Sequence, residues 1–197
     1  MIDPGLHAII QNSVAKDPWN GQWTVVNEFG GGWAVELEVG ELLHSIVRTL
    51  KPRIIVETGT HKGFSALMMA KALQQNGSGH LYTVDMTDHG VKALFSRFGV
   101  STLVTFYKTK SVDVLQSMPK DRKVDFLWLD ADHAEESVLA EMQAALPFLK
   151  PGSYVGFHDV LIDPREDRAV KKIRQRYPDW EYIRFFSARG VDLMRVQ

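Results

Sequence analysis

The stretch RIIVETGTHKGFSALMMAKAL, residues 53–73, decides the fold. It opens on Arg53–Glu57, a β-branched apolar run short enough for a strand buried on both faces. A turn containing Gly59 and Gly63 follows, and Gly63–Gln75 then takes up helical spacing. Strand, glycine turn and helix in that order begin a βαβ unit. The same alternation continues outward. His80–Asp85 (HLYTVD) reads as a second strand, Asp88–Phe98 as a helix and Leu103–Tyr107 as a third strand. Val124–Asp130 (VDFLWLD) is a fourth, Glu135–Leu149 a helix stopped by Lys150-Pro151-Gly152, and Ser153–His158 a fifth. Upstream, Glu36–Leu50 carries apolar residues at helical spacing and ends before Pro52. Downstream, Asp163-Pro164 caps a helix that runs to Tyr177, and Glu181–Phe186 with Val191–Val196 form a hairpin around Ser187–Gly190. Residues 1–35 are the least regular part, with Asp17-Pro18 and Gly30-Gly31-Gly32.

This alternation predicts an α/β fold, a doubly wound and mainly parallel seven-stranded sheet that closes with a C-terminal antiparallel hairpin. Ligands in such sheets bind beyond the carboxyl ends of the strands, near the point where the strand order reverses. The segments to weigh are therefore Glu57–Gly63, Asp85-Met86, Asp130–His133 and His158-Asp159. Three of these strand ends finish on an acid, and the fourth carries the His-Asp pair.

A chain of 197 residues is one domain by length, residues 1–197. Its 23 basic and 24 acidic residues leave a net charge of −1, which excludes bulk attraction to nucleic acid or to an anionic membrane. The absence of cysteine excludes disulfides, thiolate metal sites and cysteine nucleophiles. Met1–Gln11 lacks the basic stretch and long apolar core of a secretory leader, and no apolar run approaches a membrane span. The expected location is cytoplasmic.

Glycines at 59 and 63 let the backbone turn tightly and approach a ligand, and the helix beginning at Gly63 aims its amides there. The pattern is not the dinucleotide G-x-G-x-x-G, because the middle glycine is missing, so a nicotinamide dehydrogenase is disfavoured. Asp85 stands about 20 residues beyond the glycine turn, where an acid accepts the two hydroxyls of a ribose. Alone, it reads equally well as a turn aspartate.

Taken together, VETGTHKGFSALMMAKAL (56–73), LYTVD (81–85) and VDFLWLDADHAEESVLAEMQAALPFLKPGSYVGFHDV (124–160) resemble the Rossmann-like class I S-adenosylmethionine-dependent methyltransferases. Within them the likeness is to small O-methyltransferases of the catechol, caffeoyl-CoA and macrocin types. The resemblance implies S-adenosylmethionine as cofactor. It also implies a small-molecule hydroxyl acceptor, and neither a nucleic-acid nor a membrane partner. Glu57 matches the acid that helps hold the amino-acid end of the cofactor, and Gly59, Thr60 and Gly63 the turn that makes room for it. Asp85 matches the ribose-binding acid, Met86 its neighbour against adenine, and Ser111 the polar residue at the adenine edge. Gly40 matches a glycine near the mouth of the site. Asp130 borders the cofactor and matches a metal-binding aspartate.

The pair His158-Asp159 falls where relatives complete a metal site with Asp-Asn or Asp-Asp, so Asp130, His158 and Asp159 are the implied metal ligands. Histidine there moves the preference from Mg toward Mn, Fe or Zn. His133 and Asp132 stand where relatives carry a catalytic lysine and a proposed base, and are the expected proton acceptors. Both residues also suit a helix start at Glu135. Two alternatives use the same residues: a metal-dependent hydroxylase-like relative, and a cofactor-binding module without turnover. The basic run Arg165, Arg168, Lys171, Lys172, Arg174 and Arg176 reads as a solvated face balanced by acids. Trp19, Trp23 and Trp33 mark the N-terminal segment as a candidate substrate wall or homodimer surface.

Overall fold

The structure is a computed structural model that describes residues 4–16, 24–119 and 121–197. The expected Asp17-Pro18, Trp19 and Trp23 features lie outside the described residues. At the start, α1 (Pro4–Ser13) is followed by β1 (Val14–Lys16) and β2 (Thr24–Val26), which pair antiparallel. Two 3₁₀ turns, Asn27–Phe29 and Gly31–Trp33, lead into α2 (Leu37–Leu50). The segment is thus more regular than its sequence reads. Leu6, Ile10, Val26 and Phe29 are buried against the main core, and that contact supports elements too short to declare themselves by periodicity.

The large sheet is built from β3 (Ile54–Thr58), β4 (His80–Asp85), β5 (Val104–Lys108), β6 (Phe126–Leu129), β7 (Tyr154–Phe157), β8 (Glu181–Phe185) and β9 (Val191–Arg195). The strand order is β5-β4-β3-β6-β7-β9-β8. The first five strands run parallel, and β9 pairs antiparallel with both β7 and β8. Doubly wound architecture and closing hairpin agree with the sequence reading. The helices are α3 (Phe64–Asn76), α4 (Val91–Arg97), α5 (Ser111–Ser117), α6 (Glu135–Ala145) and α7 (Pro164–Arg176).

Strand side chains alternate between two cores. Ile55, Phe126 and Trp128 face one core with α2, α3 and α4, while Val56, Leu127 and Leu129 face the other with α5, α6 and α7. Helix α6 is shorter than predicted: it stops at Ala145, and residues 146–148 tighten into a 3₁₀ turn around Pro147. Helix α7 begins as read, with Asp163 accepting the Arg165 N–H and Pro164 at the first helical position.

The chain winds outward through β3, β4 and β5, then returns to place β6 beside β3. That reversal opens a cleft at the carboxyl ends of β3 and β6. Among the described residues no helix is long and apolar enough to cross a membrane.

Candidate active site

The cleft is a cavity of about 1020 Å³ lined by the segments after β3, β4, β5, β6 and β7 and by Trp33. One end is built by the glycine turn. Gly59 has a φ of +84°, and a Cβ there would overlap the Asp130 carbonyl oxygen outright. The Gly59 and Thr60 N–H groups donate to Val84 O at 2.9 and 3.3 Å. The turn is therefore pressed onto β6 and tied to β4, and only glycine fits. Gly63, at φ +83°, redirects the chain into α3.

Asp85 follows beside it. Its Oδ2 accepts the His61 N–H and its Oδ1 the Thr87 N–H, both at 2.8 Å. Two backbone donors fix this carboxylate at the cavity wall, with lone pairs left for a ligand. Met86 is exposed on the same wall.

Glu57 lies one layer below the cavity, with no exposed surface. Its carboxyl accepts the Ser65 and Thr83 hydroxyls at 2.5 Å each, and Thr83 meets Thr60 at 2.5 Å. Burial raises its pKa to about 8 against the pull of these hydroxyls. Glu57 does not itself line the cavity; Ser65 does, and its hydroxyl donates to Glu57. Sequence reasoning missed Ser65, although it is the one hydroxyl side chain in α3. Gly40 is not at the mouth either. A Cβ there would meet the Phe64 ring at 2.8 Å, so this glycine lets α2 approach α3.

Acids and histidines fill the opposite end. Asp159 takes up the left-handed region at φ +59°, unusual for a residue with a side chain and typical of strained functional positions. His133 lies between two acids, with Nε2 3.2 Å from Asp159 Oδ2 and Nδ1 3.4 Å from Glu166 Oε2. Burial disfavours its charged form. The Glu166 hydrogen bond and the charges of Asp130 and Asp159 outweigh that and raise it to about 9. Glu166, almost fully buried on α7, is pushed up to about 7 by burial and pulled back by His133.

His158 is sealed differently. Its Nε2 donates to Glu36 Oε2 at 2.7 Å, and its Nδ1 faces Asp130 Oδ1 at 3.2 Å and Asp159 Oδ1 at 3.3 Å. Burial works against its charge, but the surrounding carboxylates raise it well above the ordinary histidine value. Burial likewise opposes ionisation of Glu36, yet the His158 hydrogen bond and charge hold it down at about 2. Glu36 thus holds the Nε2 side of the ring, and Nδ1 is turned toward the two aspartates. The implied trio Asp130, His158 and Asp159 comes together here, with His158 Nδ1 facing both aspartates. The side chains whose ligand atoms converge within 4.8 Å are Asp130, His133 and Asp159. Asp159 Oδ1 and Glu166 Oε1 are buried there without a hydrogen-bond partner among the described residues. One imidazole, two carboxylates and nearby unsatisfied oxygens suit a small divalent cation.

Glu36, Glu166 and Arg189 were not legible as site residues. The Arg189 N–H donates to Glu36 Oε1 at 3.0 Å and its guanidinium to Ala34 O at 3.0 Å, joining the N-terminal segment to the hairpin turn. Asp132 also lines the cavity, but Oδ1 accepts the Ala134 N–H at 3.1 Å and Oδ2 the Ser137 hydroxyl at 2.6 Å. Those two bonds lower its pKa, which suits a turn into α6 better than a base. Ser111 donates to Glu141 on the cavity wall. The basic run on α7 is largely neutralised: Arg165 pairs with Asp163, Lys171 with Asp167, and both Arg168 and Lys172 with Glu135.

A doubly wound sheet with a glycine turn after its first long strand, an acid after its second and a polar cluster after its fourth defines a class I methyltransferase fold. A family model described as a methyltransferase domain matches residues 56–160, just over half of the chain, and the chain belongs to that family. Caffeoyl-CoA O-methyltransferase 2 of Zea mays is 23% identical over 182 residues, covering 87% of this chain and 63% of that protein. Rhamnosyl O-methyltransferase of Mycobacterium tuberculosis is 32% identical over 120 residues, covering 58% of this chain and 48% of that protein. The chain thus spans less than two thirds of either relative. An O-methyltransferase from Bacillus cereus, solved in complex with SAH, superposes with a TM-score of 0.74 at 18% identity, covering 100% of this chain and 92% of that one. The O-methyltransferase TomG from Streptomyces achromogenes, solved with SAM, gives 0.73 at 21% identity, covering 100% and 91%. At such identities the likeness is one of fold.

Proposed function

We propose that the protein transfers a methyl group from S-adenosylmethionine to a hydroxyl of a small-molecule acceptor. The observation that carries this reading is one cavity with two unlike ends: a glycine turn with a fixed strand-end acid, and a cluster of histidine and carboxylates. The volume accommodates a nucleoside cofactor together with a small acceptor.

Asp85 would receive the ribose hydroxyls and Met86 would lie against the base. Ser65, held by Glu57, would meet the amino-acid end beside Gly59, Thr60 and Gly63. Bound there, the cofactor supplies a methyl group already activated for in-line displacement by an oxygen. The protein's task is alignment and removal of the hydroxyl proton. His133 can take that proton only in its neutral form, which a pKa of about 9 reserves for alkaline pH, and Asp132 is engaged in its turn. Glu166 fixes the ring from behind, as a carboxylate orients a catalytic imidazole. A divalent cation (Mg, Mn or Fe) would be held by Asp130 and Asp159 with His158 Nδ1 and would lower the pKa of the acceptor oxygen, leaving His133 for the proton. His133 cannot serve as ligand and base through the same nitrogen lone pair.

The test is transfer of labelled methyl from S-adenosylmethionine to a panel of sugar and phenolic acceptors, with wild type, His133→Ala and Asp132→Asn. Loss of His133 is expected to lower kcat at least ~10²-fold with cofactor affinity unchanged. Failure to bind S-adenosylhomocysteine would overturn the reading. Collapse in Asp132→Asn alone would assign the proton to Asp132.

A further inference from the structure

Glu36 is a buried acid to which the proposed methyl transfer gives no part. It stands at the N-cap of α2, where a polar side chain ordinarily accepts a helix amide, yet its carboxyl caps nothing. It turns inward instead and has no exposed surface. Each oxygen has a fixed partner there: Oε1 accepts the Arg189 N–H at 3.0 Å, and Oε2 accepts the His158 Nε2–H at 2.7 Å. Burying a carboxylate is costly, and the start of α2 gains nothing from this one.

What the contact does is fix an imidazole. His158 is buried but still borders the cavity. With Nε2 tied to Glu36 the ring has one orientation, and Nδ1 stands 3.2 Å from Asp130 Oδ1 and 3.3 Å from Asp159 Oδ1. One nitrogen and two carboxylates therefore converge, with a third carboxylate behind the ring. A histidine that ligates a metal almost always gives its other ring N–H to such a carboxylate, which sets the tautomer and the aim of the ring. His133 stands apart from this set, between Asp159 and Glu166.

We propose that Glu36 is a positioning residue for a divalent cation: by holding the Nε2–H of His158 it presents Nδ1, together with Asp130 and Asp159, to a cation that accepts a nitrogen ligand. The inference rests on the cation reading above and not on which acceptor is methylated. On binding, His158 releases its Nδ1 proton to solvent and keeps the Nε2 proton on the Glu36 side. Arg189, which donates to Glu36 and to Ala34 O, ties the same acid to the hairpin turn and to the N-terminal segment.

The probe is Mn²⁺ alone, added to the full chain. Electron paramagnetic resonance gives its affinity, and electron spin-echo modulation reports directly bound nitrogen. Wild type is expected to bind Mn²⁺ with one histidine nitrogen coupled to the metal. Glu36→Gln should weaken Mn²⁺ by roughly 10- to 100-fold. His158→Asp should keep a cation site and lose the nitrogen signal. Adding Glu36→Gln to it should weaken Mn²⁺ no further, because an oxygen ligand has no ring to aim. His133→Ala, at a partly exposed position, should keep the signal, and so answers the question even if His158→Asp fails to fold. A purely structural Glu36 would lower thermal stability and leave the Mn²⁺ affinity of the folded protein unchanged. That result overturns the inference, as does nitrogen that persists in His158→Asp or vanishes in His133→Ala, or a wild type that binds no Mn²⁺. S-adenosylhomocysteine is titrated into the same samples: if it binds, the cofactor reading stands whatever the manganese shows, and if it does not, that reading falls separately.

Discussion

Substituting Gly59 by alanine isolates the contact that seats the glycine turn on the strand end carrying Asp130. Two costs add. The residue has a φ of +84°, and a side chain in the left-handed region costs about 1–2 kcal/mol. The new Cβ would also overlap the Asp130 carbonyl oxygen and lie 2.5 Å from its carbonyl carbon and 2.8 Å from Ala131 Cα. These are backbone atoms of neighbouring strand ends, and no rotamer change relieves them. The turn cannot retreat freely, because Gly59 and Thr60 both donate to Val84 O. Overpacking of this kind costs a further ~1–3 kcal/mol. Gly77 supplies the control: its φ is +70°, it closes the end of α3, and a Cβ there meets nothing within 4 Å. Gly77→Ala should therefore show the backbone cost alone. Urea unfolding followed by circular dichroism should place Gly59→Ala about 1–3 kcal/mol below Gly77→Ala. At roughly 2–4 °C per kcal/mol for a chain of this size, its Tm should be about 2–12 °C lower. Equal destabilisation, within ~0.5 kcal/mol, would refute the argument that the turn is held against β6.

Asp85→Ala should weaken S-adenosylhomocysteine binding by about 10- to 150-fold in calorimetry, and an unchanged affinity would remove Asp85 from the site. Glu57 holds its proton in the folded state up to about pH 8 against an ordinary value of 4.5, so the folded state binds the extra proton between those limits. Stability should accordingly fall as pH rises from about 4.5 to 8, and Glu57→Gln should flatten that decline in urea midpoints; parallel profiles would sink the assignment. His158→Gln leaves Glu36 and the two aspartates facing each other in a buried site, and should cost about 3–5 kcal/mol. Adding Glu36→Gln should restore part of that loss, because the uncompensated buried charge is then removed; strictly additive losses would show that the two side chains do not act as a pair.

Much of the architecture was legible from local pattern. The apolar runs at 54–58 and 126–129 and the helix after Gly63 came within a residue or two of their observed ends, and β4 matched at both ends. Period and punctuation are properties of neighbouring residues, so sequence reports them directly. Alternation of strand and helix then restricts the chain to a parallel sheet, and a parallel sheet has its ligand site at the strand ends. That reasoning alone brought Gly59, Asp85, Asp130, His133 and Asp159 to one cavity.

Direction and depth of side chains depended on packing across the chain. Glu57 and Thr58 are adjacent, yet strand alternation sends the first to Ser65 and Thr83 and the second to Glu141 on the other face of the sheet. His158 looks like a ligand in sequence. What fixes its ring is Glu36 on Nε2, which lies 122 positions away and is brought in by the N-terminal segment. His133 acquires its acid partner from α7, 33 positions on. Residue types and their spacing determined the sheet and the end of it that binds. The partners of His133 and His158, and hence the charge each favours, were decided by tertiary contacts, because charge and hydrogen-bond partners act through space and are indifferent to chain order.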